Sequence, residues 1–240
     1  VANPAVGIAV DMLVAAGGTA MISEITELLG TEHLLAARAV DRQVAEQIYR
    51  VIGLSEAQLA RESANDRSGK RSALISPGNI EGGVSTVVEK ALGGARKAGT
   101  SPIVGVLKYG EIYEKRGLHL MDTPNHDAES TTGMVAGGCQ IVLFTTGRGT
   151  PTGHPVAPVI KVTGNSNSFR NMFDNIDVNT GAVIDGAMTL RQAGEEIFRE
   201  VLAVANGKRT RAEALGHDEL MTVWRPTPEH EAAYGCGEWG

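Results

Sequence analysis

Apolar residues recur at helical spacing from Val6 to Ala16 and stop at Gly17-Gly18, which predicts a helix with a glycine carboxyl end. "TAMISEI" is short and β-compatible, and predicts a strand. The 3.6-residue pattern returns in "TEHLLAARAVDRQVAEQIYRVIGL", where Thr31 is the candidate amino-terminal cap of one long helix. Glu24 to His33 is then a strand-to-helix turn. Residues Glu62 to Gly83 are polar and rich in glycine, serine and asparagine, and predict a long loop of the kind that often carries function. "GGVSTVVEKALGGARKAG" predicts a helix ending at Gly99, and "PIVGVL" and "GLHLMD" predict strands. "DAESTTGMVAGG" is a helix between the second of these and a strand in "CQIVLFTTG"; "APVIKVTGN" is a further strand. "TLRQAGEEIFREVLAVANGKRTRAEAL" supplies one or two closing helices, capped by Thr189 and ended near Gly207.

Strands that alternate with helices and are apolar on both faces predict a mainly parallel sheet covered on both sides. The expected fold is a three-layer, Rossmann-like α/β domain over residues 1–224, with a polar tail at 225–240. At 240 residues such a domain buries a sizeable core. Glycine stands at 30 residues, above an average of ~7%, and clusters between the predicted elements, where it punctuates them.

Composition narrows the function. No apolar run approaches the ~20 residues of a membrane-spanning helix. The start, "VANPAVGIAV", lacks the parts of a secretory signal, so the expectation is a cytoplasmic protein. A net charge of -6 and 4% aromatic residues argue against nucleic acid as a partner. Cys139 and Cys236 are far apart without metal-ligand spacing, and are expected to be free thiols.

In open parallel sheets ligands collect beyond the carboxyl ends of the strands. "TTGRGTPTGH" (145–154) is such a loop: its glycines allow close backbone approach, its threonines offer hydroxyls, and Arg148 offers a planar fork for a carboxylate. It reads either as an anion cradle or as a connection that permits close packing; Pro151 and Pro155 exclude a phosphate P-loop. Glu24 and Glu27 follow one strand, Asp122, Asn125, His126 and Asp127 follow another, and Lys161, Thr163 and Asn165 lie on and after a third. Gathered at one rim they suit acid-base work or a divalent metal; taken singly, each also suits a turn or a helix start. "SPGNIEGG" sets Asn79 and Glu81 before a helix that carries Glu89 and Lys90, and Lys90 reads as a solvated side chain or, if buried, a proton acceptor.

Together "DMLVAAGGTAMISEITELLGTEHLLAARA", "SPGNIEGGVSTVVEKALGGARKAGTSPIVGVLKYGE", "GLHLMDTP", "GMVAGGCQIVLFTTGRGTPTGHPVAPVIKVTGN" and "DNIDVNTGAVIDG" resemble the altronate and galactarate (sugar-acid) dehydratases over about Asn3 to Ala214. The resemblance implies a metal-dependent lyase, typically with Fe2+, that removes water from a sugar acid to give a 2-oxo-3-deoxy acid. For that reaction the candidate catalytic residues are Glu32, His33 and Lys90, the candidate substrate contacts are Asn79, Thr145, Thr146, Arg148, Thr150 and Lys161, and the candidate metal ligands are Glu24, His33 and Asp122. The resemblance also implies a β-rich amino-terminal domain or small subunit as partner, and a homo-oligomer. Thr31 stands where a small Gly-Ala-like pair is expected, and Ala and Gly in "EKALGGARKAG" stand where Ser and Cys are common, which leaves the substrate open. The family also includes lyases that expel sulfite from sulfolactate, so a sulfo-lyase subunit is an alternative. A non-catalytic sugar-acid-binding domain is another.

Overall fold

A computed structural model describes residues 1–65, 75, 79–80, 84–218 and 221–226. Most of the long polar loop, with Glu81, and nearly all of the expected tail, with Cys236, lie outside the described residues.

Helix α1 (Ala2–Ala15) buries Ala5, Val6, Ala9 and Val10, small and β-branched residues that let it run close to its neighbours. It touches strand β1 (Ala20–Ile22), and after the 3-10 turn Ile25–Leu28 the chain forms the short helix α2 (Glu32–Ala36) and the long α3 (Arg42–Asn65). The single helix expected from Thr31 onward is therefore broken at 37–41. Two interactions compete with helix there: Val40 N donates to Ile103 O at 3.0 Å, and the Asp41 carboxylate caps the new helix by accepting from Val44 N at 2.9 Å. Thr31 makes no side-chain cap bond; its hydroxyl donates instead to Leu28 O at 2.6 Å.

Helix α4 (Val87–Arg96), β2 (Ile103–Leu107), β3 (Leu118–Met121), α5 (Asp127–Ala136), β4 (Val142–Thr146) and β5 (Val159–Thr163) follow in the expected places. Helix α6 (Ser166–Asn171), the two-residue strand β6 (Val178–Asn179) and a 3-10 turn at Thr180–Val183 are too short to show a period in the sequence. Helix α7 (Leu190–Ala205) opens on Thr189 in a capping box with Gln192, and α8 (Arg211–Leu215) opens on Thr210 in a second one with Glu213.

The fold is α/β and its strand pairs are parallel, as the alternation predicts, but the strands are shared between two three-stranded sheets. One has the order β1-β3-β2, with Ala20 opposite Leu118 and Leu107 opposite Met121. The other has the order β4-β5-β6, with Val142 opposite Val159 and Thr146 opposite Thr163. Helix α1 bridges them, touching β1, β4, α4 and α7. One buried cluster joins α1, α3 and α7 to Ile22, Leu118 and Leu120 of the first sheet and Ile160, Val162 and Val178 of the second. Asp11 of α1 clips this helix to the entry of β2, accepting from Thr100 N and Ser101 N at 2.8 and 2.7 Å and from both hydroxyls.

Candidate active site

Strands β1 and β4, together with the segments that follow β3 and β5, line one cleft of about 2060 Å³. Glu24, the second residue beyond β1, sits at φ 62° and ψ 54°, and no other non-glycine residue among the described ones has a positive φ. Such a conformation costs roughly 1–3 kcal/mol and persists only where surrounding contacts impose it. They do: Glu24 N donates to Thr123 Oγ1 at 2.6 Å and Ile25 N to Thr123 O at 3.3 Å, tying the end of β1 to the turn after β3.

Helix α4 meets this turn along its glycine face. A Cβ at Gly94 would lie 2.9 Å from the carbonyl oxygen of Glu27 and 3.4 Å from Leu28, so the approach needs glycine. Lys90 and Lys97 lie two turns apart, on one face of the helix at this level. Each reaches a carboxylate of the turn: Lys90 Nζ is 2.6 Å from Glu27 Oε1, and Lys97 Nζ is 3.1 Å from Glu24 Oε2. All four side chains are mostly buried, at 17–22% exposure, so these pairs are screened less than surface pairs. Burial alone would push the Lys97 ammonium down, but Glu24, Glu27 and Asp127 outweigh it and push it up. Lys97 is thus a fixed positive charge and a poor base. Asp127, in the first turn of α5, also faces the cleft, and desolvation followed by the charges of Glu24 and Glu27 pushes its carboxyl up. A carboxylate so shifted is a better proton acceptor.

On the other wall, Thr145, Thr146, Arg148 and Thr150 line the cleft. The loop is folded on itself: Thr146 Oγ1 accepts from Gly149 N at 3.0 Å, and Ser168 Oγ of α6 donates to Gly147 O at 2.7 Å. Gly149 has φ +95°, and a Cβ there would lie 2.3 Å from Met172 Sδ. The cleft therefore has one pole of lysines and carboxylates and another of hydroxyls and an exposed guanidinium. Acid-base groups on one side and an anion grip on the other suit proton removal beside a carboxylate.

Residues 1–228 match the family model described as D-galactarate/altronate dehydratase, C-terminal. The chain belongs to the D-galactarate/altronate dehydratase family. Over 228 residues it is 41% identical to galactarate dehydratase (L-threo-forming) of Escherichia coli K12, covering 95% of this chain and 43% of the relative. It is 39% identical over 221 residues to (2R)-sulfolactate sulfo-lyase subunit beta of Chromohalobacter salexigens, covering 92% and 56%. Altronate dehydratase of Bacillus subtilis is 36% identical over 219 residues, covering 91% and 43%. The chain spans about half the length of these relatives.

Of the candidate site residues, Glu24, Asn79, Lys90, Thr145, Thr146, Arg148 and Thr150 line the cleft. Glu32, His33, Asp122 and Lys161 do not. Glu32 starts α2 half-buried, with Oε2 buried and unbonded, and His33 is exposed beside it. Asp122 is buried where its amide continues the pairing of β3 by donating to Leu107 O. Lys161 is fully buried in β5. Glu24, His33 and Asp122 are thus not gathered as a ligand set, and among the described residues no three His, Cys, Asp or Glu side chains form a group that could hold a metal ion. Lys97 was not legible as a site residue. Its signal is the seven-residue spacing from Lys90 across Gly93-Gly94, which becomes meaningful once the helix is known to approach a carboxylate-bearing turn.

No helix among the described residues is long and apolar enough to cross a membrane. Cys139 is a free thiol on the cleft wall, as expected.

Proposed function

We propose that this chain carries the proton-transfer and carboxylate-binding part of a sugar-acid hydro-lyase. The observation that supports this best is the placing of Glu24, Glu27, Asp127, Lys90 and Lys97 opposite Arg148 in one cleft. In the proposed reaction Arg148 and the loop threonines hold the substrate carboxylate. Asp127 takes the proton from the carbon beside that carboxylate, and the electron pair of the broken C–H bond forms an enediolate. The negative charge develops on the carboxylate oxygens that Arg148 holds and stabilises, and the ammonium of Lys97, with Lys90 beside it, adds positive potential to the cleft. The hydroxyl on the next carbon then leaves as water with the proton that Asp127 carries, and the enol so formed becomes the 2-oxo acid by tautomerisation. The resemblance implies a divalent metal, ferrous iron, and the described residues offer no group of three His, Cys, Asp or Glu side chains to hold it. Since the chain spans about half of its relatives, a further domain or subunit closing the cleft belongs to the same proposal.

A second reading, a sulfo-lyase subunit, is favoured by the 39% identity to the sulfolactate sulfo-lyase subunit. It shares the first step and replaces loss of water by loss of sulfite. The test is an anaerobic assay of the full-length protein with ferrous iron against altronate, galactarate, glucarate and sulfolactate, reading 2-oxo acid and sulfite separately. The 2-oxo acid is expected from one of the sugar acids. Sulfite from sulfolactate without dehydration of any sugar acid moves the assignment to the second reading, and binding of a sugar acid without turnover leaves a binding domain.

A further inference from the structure

The middle of β5 holds a lysine that the cleft does not use. Lys161 has no exposed surface, although every other residue of this central strand is apolar or a threonine. Its backbone is fixed by Asp177: Lys161 N donates to Asp177 Oδ2 at 2.7 Å, and Asp177 N donates to Lys161 O at 3.0 Å. Its side chain runs beneath the glycine loop, where Nζ donates to Thr152 O at 3.0 Å and Pro151 O at 3.3 Å. These two carbonyls follow directly on Thr150, which lines the cleft. The opposite limb of the loop is held by Ser168, whose hydroxyl donates to Gly147 O at 2.7 Å. Arg148 and Thr150 thus stand between two anchors, one below and one beside.

We propose that Lys161 is a positioning residue, which together with Ser168 holds the glycine loop preformed so that Arg148 and Thr150 meet the substrate carboxylate in a fixed geometry. This rests on the reading of the cleft as a sugar-acid site. A buried ammonium is an expensive way to fill a strand, and an apolar side chain would serve packing alone at least as well. What the lysine adds is a pair of donors for two consecutive carbonyls that a turn rich in glycine and proline leaves without helix or ladder partners. An ammonium and a neutral amine both supply those donors, so the tether does not depend on the charge state. A loop that is already ordered loses less entropy when it closes on a ligand, which raises affinity without a new contact.

The test uses Lys161→Met in the full-length protein, which keeps an unbranched side chain one atom shorter and removes the donors. The apparent affinity for the turned-over acid, and for tartrate as a non-reacting hydroxydicarboxylate, is expected to fall about tenfold or more, with kcat changed much less. Amide exchange over 147–153 is expected to accelerate. In Lys161→Ala, added ethylammonium is expected to restore part of the affinity, an effect that loss of packing does not produce. A folded Lys161→Met protein with unchanged KM, tartrate affinity and exchange overturns the proposal. If neither Lys161 variant folds, Ser168→Ala carries the test. Its exposed hydroxyl is removable, and unchanged tartrate affinity and loop exchange there also overturn the proposal. If the wild-type protein binds and turns over none of the acids, the sugar-acid reading fails, and exchange then decides the tether: faster in the variant upholds it, equal overturns it.

Discussion

Replacing Gly94 by alanine separates the placing of the lysines from the stability of the helix that carries them. Inside a helix, alanine is favoured over glycine by roughly 0.8–1 kcal/mol, so on propensity alone the substitution stabilises. The added Cβ, however, would lie 2.9 Å from the Glu27 carbonyl oxygen, a backbone atom that cannot swing away. Overpacking of this kind costs roughly 1–3 kcal/mol, which leaves a net change between about zero and 2 kcal/mol of destabilisation. Gly93 is the internal control, because a Cβ there would meet only Asn3 Nδ2, at an ordinary 3.5 Å. Gly93→Ala should therefore stabilise by up to about 1 kcal/mol. The two variants should differ by about 1–3 kcal/mol, roughly 2–12 °C in melting midpoint for a chain of this size. The clash is relieved by moving α4 away from the turn, and with it Lys90 and Lys97. Misplacement on an ångström scale costs up to about a hundredfold in rate, so kcat/KM of Gly94→Ala should fall far more than its stability. The assay pairs thermal melts with initial rates on the acid the protein turns over. A Gly94→Ala protein that melts as high as Gly93→Ala and keeps the wild-type kcat/KM would refute the argument that this close approach sets the lysine–carboxylate group.

Arg148→Ala removes the guanidinium from the cleft wall; a charge-assisted contact of about 1.5–3 kcal/mol corresponds to a loss of apparent affinity of roughly 10- to 160-fold, read in KM, a far larger effect than that on the melting midpoint. For Asp11, burial pushes the carboxyl up, but the hydroxyls and amides of Ser101 and Thr100 together outweigh this and hold it below its ordinary value. A depressed folded pKa contributes stability above the unfolded value of about 3.9 and loses it as pH falls through the folded value. Urea midpoints should therefore show wild type above Asp11→Asn at neutral pH, with the gap closing below about pH 4; a gap independent of pH removes the assignment. Burial pushes the Cys139 thiol up to about 11, so at pH 8 its alkylation, followed by mass mapping, should be on the order of a hundredfold slower than that of a small free thiol.

The parts of the fold that were legible in the sequence are those whose information is local. The segments that became α1, α4, α5, β3, β4 and β5 are marked by their own apolar content and by the turn residues that bound them, and Thr189 announces the start of α7 by itself. What was not legible depends on pairing between distant segments. Nothing in "TAMISEI" shows that β1 ends at Ile22, because the turn is imposed by Thr123, 99 residues away from Glu24. The break between α2 and α3 depends on the Val40–Ile103 bond, and the division into two sheets depends on which strands meet, a choice that near-equal apolar strands do not encode by composition. The site follows the same rule. The glycine loop was readable because glycine, threonine and arginine concentrate in ten residues, whereas Lys97 gains meaning only from the carboxylate it faces. Lys161 drew attention as a polar residue on a strand, and only the direction of its side chain separates a substrate contact from a strut under the loop.

The division of labour between the two sheets also bears on why one chain type would serve two leaving groups. The identities of 41% to a hydro-lyase and 39% to a sulfo-lyase subunit are nearly equal, and each match covers more than nine-tenths of this chain. Removal of the proton beside the carboxylate and stabilisation of the enediolate are common to both eliminations, and these are the steps for which the lysine–carboxylate group and the glycine loop are suited. Departure of water needs protonation of a hydroxyl, while sulfite leaves as a stable anion without that help. A region that performs only the shared steps has no reason to diverge with the leaving group, and the discriminating contacts are then expected in the remainder of the longer relatives. Exchanging that remainder between a dehydratase and a sulfo-lyase while keeping this region should carry the product specificity with it. Specificity that stays with this region would place the leaving-group contacts inside the cleft described above.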